Sequence, residues 1–217
     1  MIVLIIISIL ILILIFLNKS DYVPPQVLPD IITDEELDYI LKQSSNIFVE
    51  STVLGDNPLN KKLRNSQTAW LKKTDPVVKG VIEKVCKKTG KKIENCEDLQ
   101  VVKYEPSGFY TEHHDACCED TELCKKFTEG IGQRVRTCVI YLTDNFEGGA
   151  TKFPNLNLEI KPPKKSGVLF HPLDKKEEKC HDNALHAGTP VTSGIKMIAN
   201  IWIRKNKYPH VDEGQGV

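Results

Sequence analysis

From about residue 98 the chain breaks into short β-rich runs separated by glycine and proline, and this texture constrains the fold more than any other feature. The runs are Leu99 to Tyr104, Val135 to Leu142, Val168 to Phe170 and Met197 to Ile203, with Glu147-Gly148-Gly149 and Lys161-Pro162-Pro163 among the breaks. Several short strands with such punctuation read as an all-β sandwich or barrel. The chain before them has helical texture. Thr33 followed by Glu36 forms a capping-box pattern, Ile32 with Leu37 a hydrophobic staple, and Leu37, Ile40 and Leu41 an apolar stripe. A second helix is expected from Asp75-Pro76, an N-cap followed by proline at the first helical position. Its apolar face is Val78, Val81, Ile82 and Val85, and Gly90 suits its stop. The expected class is α+β, a mainly β core packed against supporting N-terminal helices.

The first residues form a separate object. Ile2 to Leu17 is entirely Ile, Val, Leu and Phe apart from Ser8. As a helix this run spans ~24 Å, slightly short of a ~30 Å hydrocarbon core. With neither a basic leader nor an A-x-A-like cleavage site before Val23-Pro24-Pro25, residues 1–19 read as a transmembrane signal-anchor, and a cleaved signal peptide is the alternative. Residues 20–30 read as a linker. The expectation that follows is a single-pass membrane protein whose remaining domain, 31–217, lies in the endoplasmic reticulum lumen or secretory pathway. Seven cysteines in such a chain invite disulfides. Cys117, Cys118 and Cys124 have no matching second pair for zinc and favour disulfides. Cys86 with Cys96 is the preferred local pair, and Cys138, inside an apolar run, is expected to stay a buried thiol. Lysine plus arginine equals aspartate plus glutamate, so net charge gives no reason to expect nucleic acid as a partner.

The candidate chemistry starts in Tyr104 to Asp115. In extended chain, residues two apart point to one side, so His113 and Asp115 can converge while His114 faces away. An imidazole and a carboxylate offer two ligands to iron(II), and one further histidine completes a two-histidine, one-carboxylate face that leaves positions open. His171, His181, His186 and His210 are available for that role. His186 stands out because Lys196 follows ten residues later; a lysine deep in a pocket is costly unless an anion compensates it. His181 has Val191 at that offset, which cannot serve.

Three strings together resemble the catalytic domain of prolyl 4-hydroxylases: Tyr104-x-x-x-Gly108-x-Tyr110-x-x-His113-x-Asp115, Glu147-Gly148-Gly149-Ala150-Thr151-x-Phe153-Pro154, and His186-Ala-Gly-x-Pro190-Val-x-x-Gly-x-Lys196. The resemblance runs from near Thr33 to about Trp202. It implies a double-stranded β-helix (jelly-roll) core, iron(II), 2-oxoglutarate, O2 and L-ascorbate, and hydroxylation of peptidyl proline in proline-rich or collagen-like peptides. Residue by residue, it implies His113, Asp115 and His186 as iron ligands and Lys196 as the partner of the distal 2-oxoglutarate carboxylate, assisted by Tyr141. Tyr104, Tyr110, Arg134, Trp202, Arg64 and Ser66 match positions that line or shape the peptide groove.

Three positions depart from the family pattern: Thr189 stands where a cysteine is familiar, Met197 where an aromatic often follows the lysine, and His171 where an aromatic is common. None removes a ligand. Lysyl hydroxylases and oxygen-sensing prolyl hydroxylases more often carry arginine at the position of Lys196. The different-class alternative is an inactive, membrane-tethered peptide-binding module, which has no need of this ligand set. Oligomeric state is left open by the sequence.

Overall fold

The computed structural model describes residues 21–54 and 61–209. Both expected helices form with their expected ends. Helix α1 (Asp34–Ser44) starts at a complete capping box: Thr33 Oγ1 accepts from the Glu36 amide, and the Glu36 carboxylate accepts from the Thr33 amide. Helix α2 (Pro76–Thr89) is capped by Asp75, whose carboxylate accepts from the Val77 and Val78 amides, and it stops at Gly90, which takes the left-handed conformation that favours glycine. A short α3 (Glu122–Thr128) follows later.

Two antiparallel sheets carry the fold. The larger has seven strands centred on Lys196–Arg204, which pairs with Arg134–Tyr141 on one side and Leu99–Tyr104 on the other. The smaller has five, with His186–Gly188 between Thr151–Phe153 and Phe109–His113. This is the expected mainly β, double-stranded β-helix core. Alternation along the central strand sorts its side chains by face. Ala199, Ile201 and Ile203 join the cluster under the helices with Val78, Val81, Ile82 and Val85, while Asn200 and Trp202 point to a cavity on the other face. That second face is sealed by Val102, Tyr141, Phe153 and Phe170.

Several expectations need correction. Part of the 20–30 stretch read as linker is an edge strand, Gln26–Leu28, paired with Gly167–Phe170. Three residues are too few to show a period. The single-pass membrane expectation, and with it the endoplasmic reticulum placement, is overturned: no helix among the described residues is long and apolar enough to cross a membrane. The longest, α2, spans only ~21 Å, and its opposite face carries lysines. Residues 1–19, read as the anchor, lie outside the described residues. The disulfides are Cys117–Cys124 and Cys118–Cys180. Cys86 and Cys96 meet as buried thiols, sulfur to sulfur 3.4 Å, without a bond.

Cys138 is a fully buried free thiol, and burial pushes its pKa up to about 12. A thiol at such a site is expected to be inert. Iodoacetamide on the native protein should therefore leave Cys138 unlabelled, with labelling appearing only in denaturant; rapid native labelling would contradict the strand-interior placement.

Candidate metal and co-substrate site

Register creates the site. In the smaller sheet His186 is the direct cross-strand partner of His113, which brings their rings to 4.2 Å between centroids. Asp115 lies two residues past His113, in the bend where the strand has ended. Its carboxylate oxygens stand 3.9 Å from His113 Nε2 and 3.8 Å from His186 Nε2. One ligand atom from each of the three lies within 4.8 Å of the others, close enough to share a single ion.

The hydrogen bonds leave the correct atoms free. His113 Nδ1 is 2.7 Å from the Thr111 carbonyl, and His186 Nδ1 is 3.1 Å from the Ala184 carbonyl. A carbonyl only accepts, so each Nδ1 must donate, and each Nε2 keeps its lone pair for a metal. Burial, and then the neighbouring His186, push the His113 pKa down to about 3, so this ring is neutral at pH 7. For Asp115 burial acts to raise the pKa, but its electrostatic interactions with the neighbouring His186, His113 and Arg134 and the Thr137 hydrogen bond outweigh it and hold the carboxyl at about 2. Two imidazoles and one carboxylate are the donor set that suits iron(II).

Thr137 orients the carboxylate. Its hydroxyl donates to Asp115 Oδ2 at 2.6 Å, with both residues buried. Thr137→Val keeps the shape and removes the donor. Partners of this kind typically change metal affinity 10–100-fold, so weakening within about that range is expected, read by competitive chelation, with little loss of fold. An unchanged affinity would show that Asp115 is held by other means.

Lys196 closes the other end of the cavity. Its side chain is 2% exposed. Its ammonium lies 5.0 Å from the Tyr104 ring centroid and 5.2 Å from that of Tyr141, and no carboxylate among the described residues pairs with it. Burial, and then the like charge of Lys161, push its pKa down to about 7. An unpaired buried cation is costly unless an anion arrives, so this part of the cavity suits an anionic group. The glycine turn before it is sterically required. Gly149 has φ +64°, and a Cβ there would sit 3.0 Å from the Lys196 stem and 2.9 Å from the Phe146 ring.

The other expected residues fall into two groups. Arg64, Tyr104, Tyr110 and Trp202 line the same cavity as the triad and Lys196. Tyr110 stacks on His113 at 3.6 Å, and Arg64 lies over the Tyr110 ring. Ser66, Arg134 and Tyr141 stand just behind the lining. Ser66 accepts from Arg64 Nε at 2.9 Å; Arg134 stacks on Trp202 at 3.6 Å and is clamped by buried Glu97 through two bonds of 2.7 and 2.8 Å. The Tyr141 hydroxyl is 2.9 Å from that of Thr151. His181 is elsewhere, bonded to Asp21 and stacked on Tyr22, and His171 is not in the lining. His210 lies outside the described residues. Sequence reasoning missed Thr137, Thr151, Glu97 and the hydrogen-bonded pair Asn200–Gln100. For Thr137 and Asn200 a signal was present: each is a polar residue inside an apolar strand, in step with a lining position.

Comparison with known proteins agrees with this geometry. Residues 99–204 match the 2OG-Fe(II) oxygenase superfamily. A protein of Acanthamoeba polyphaga mimivirus, provisionally named a prolyl 4-hydroxylase, is 42% identical over 89% of this chain and 79% of its own length. The rat prolyl 4-hydroxylase subunit alpha-3 is 34% identical over 81% of this chain, which spans only 32% of that subunit. The crystal structure of a viral collagen prolyl hydroxylase from Paramecium bursaria Chlorella virus-1, in complex with 2-oxoglutarate, superposes with a TM-score of 0.64 at 32% identity, covering 86% of this chain and 99% of that one. With a histidine–aspartate–histidine site, an unpaired buried lysine and these relatives, the chain belongs to the prolyl 4-hydroxylase family of 2-oxoglutarate- and iron(II)-dependent oxygenases.

Proposed function

We propose that this protein hydroxylates peptidyl proline to 4-hydroxyproline in proline-rich or collagen-like peptides, and that residues 31–217 form its catalytic unit. The observation that carries this reading is the sharing of one cavity by the His113–Asp115–His186 triad and the unpaired cation of Lys196. When bound, iron(II) and 2-oxoglutarate supply the activation of O2, with 2-oxoglutarate leaving as succinate and CO2. His113, Asp115 and His186 would hold the metal from one side through Nε2, Nε2 and a carboxylate oxygen. Lys196 would pair with the distal carboxylate, and Tyr141 assists from beside it. The walls of Phe153, Phe170 and Tyr110 keep water from the reacting centre. L-Ascorbate fits the reading as the reductant that rescues oxidised metal.

The peptide site is read on the open side of the same cavity. Tyr110, Tyr104, Trp202 and Arg64 offer aromatic faces and N–H donors, with Ser66 and Arg134 holding Arg64 and Trp202 in place. A proline-rich chain presents only carbonyl acceptors at its prolines, and its polyproline II form is already extended, so little entropy is lost on docking.

The test is mass spectrometry of Pro-Pro-Gly repeats, polyproline and Ser-Pro repeats after incubation with enzyme, iron(II), 2-oxoglutarate, O2 and ascorbate. Oxygen added at proline C4, one succinate formed per hydroxyproline, is expected on at least one of the three. Succinate formation that no peptide stimulates, with no oxygen gained, would sink the assignment.

A further inference from the structure

All three candidate ligands lie on one small ring of chain, closed by strand pairing at one end and by a disulfide at the other. His113 is the last residue of its strand and His186 the first of its own, and these two are cross-strand partners. From His113 the chain runs through Asp115 to Cys118; from His186 it runs back through the short turn Asp182–Ala184 to Cys180; Cys118 and Cys180 are joined by a disulfide. Asp115, between the two closures, belongs to no strand or helix. Non-covalent contacts also hold these segments: Gln133 bonds both to the amide and to the carbonyl of Cys117, Ala116 packs with Leu173 and Cys180, and Glu177 pairs with Lys91 and Arg136. The disulfide is the one covalent link between them, and the Asp115 carboxylate itself is oriented by Thr137.

The two disulfides differ in reach and access. Cys117–Cys124 closes a local loop onto α3, with a sequence separation of 7, whereas Cys118–Cys180 spans 62 residues. Cys118 is exposed and Cys180 half-buried, while Cys124 is buried. Thiol–disulfide exchange needs a thiolate to reach a sulfur, so a reductant meets Cys118–Cys180 first.

We propose that Cys118–Cys180 is a redox-sensitive clasp on the metal site, an inference that rests on the metal-binding reading above. Oxidised, it holds the Asp115 segment against His186 and retains the ion. Reduced, it lets Asp115 move away from the two histidines, and the ion leaves more readily. The reductant is a dithiol. One of its thiolates attacks Cys118 Sγ and expels the Cys180 thiolate; its second thiol then displaces the Cys118 thiolate. Two protein thiols and one cyclic reductant disulfide result, with two electrons and two protons passed to the protein.

The experiment measures Mn(II) binding to the full chain by electron paramagnetic resonance, without co-substrate and below the melting temperature. Three samples are compared with oxidised wild type: C118S/C180S, C117S/C124S, and wild type titrated with dithiothreitol. Loss of the clasp is expected to weaken Mn(II) binding about tenfold or more, the lower end for groups that orient ligands. C117S/C124S should bind as wild type does, and far-UV circular dichroism should not change. An unchanged affinity in C118S/C180S, or an equal loss in both variants, overturns the clasp. Should C118S/C180S fail to fold, the titration decides: Mn(II) release that tracks alkylation of Cys118 and Cys180 supports the proposal, and alkylation without release overturns it. Wild type that binds no Mn(II), or His113→Ala that binds it equally well, overturns the metal reading beneath the clasp.

Discussion

Alanine at His113, Asp115 or His186 is expected to abolish both metal retention and turnover, while His114→Ala and His181→Ala keep most of each. The three ligand atoms face one point, and each Nε2 is free because each Nδ1 is committed to a backbone carbonyl. Removing one leaves two donors in a buried site that still carries the charge imbalance of the remainder. The loss in metal affinity should therefore exceed the 10–100-fold typical of the groups that merely orient ligands. His114 is one residue out of step with the site. His181 spends its ring nitrogens on Asp21 and the Asn183 amide, outside the cavity. Metal titration of each variant, followed by succinate formation, checks the set. A dead His181→Ala beside an active His186→Ala would reverse the assignment.

Lys196→Ala should separate co-substrate binding from metal binding. No ligand atom is touched, so metal affinity should hold. On the proposed pairing, the distal carboxylate of 2-oxoglutarate would lose the buried counter-charge of Lys196, and truncating such pairs costs on the order of 2–5 kcal/mol. The half-saturating 2-oxoglutarate concentration should then rise roughly 30-fold to a few thousand-fold. Arginine should rescue partly, since its planar fork needs a wider pocket than an ammonium. Lys196→Met should do the opposite for stability, raising the melting temperature of the co-substrate-free protein, because an unpaired buried cation is replaced by an apolar chain of similar volume.

pH gives an independent readout of the same group. The Lys196 cation, proposed above to pair with 2-oxoglutarate, is present below a pKa of about 7 and is lost as pH rises through it. Affinity for 2-oxoglutarate should therefore fall above about pH 7, by at most about tenfold per unit for one proton. Stability of the co-substrate-free protein runs the other way. Its folded pKa is depressed, so between about pH 7 and the usual lysine range the unfolded chain holds the extra proton, and stability rises with pH. A half-saturating 2-oxoglutarate concentration that is flat from pH 7 to pH 9 and unchanged in Lys196→Ala would place the co-substrate on another cation.

Helix ends, strand runs and the pairing of His113 with Asp115 were legible in the sequence because each depends on neighbours a few residues away. Capping by Thr33 and Asp75, the stop at Gly90 and the period-two alternation of the Lys196–Arg204 strand are local chemistry. So is the two-residue spacing that puts an imidazole and a carboxylate on one side. The choice of His186 rested on the offset of Lys196 and on resemblance, and the cross-strand register with His113 is a fact of the fold alone. What only tertiary structure decided are the contacts between segments distant in sequence. These include Thr137 on Asp115, Glu97 on Arg134, the pairing of Cys118 with Cys180 and the unbonded meeting of Cys86 with Cys96. Seven cysteines permit many pairings, and no local rule selects among them. Which sulfurs meet depends on where the two sheets bring residues 118 and 180, and sequence spacing carries no record of that distance.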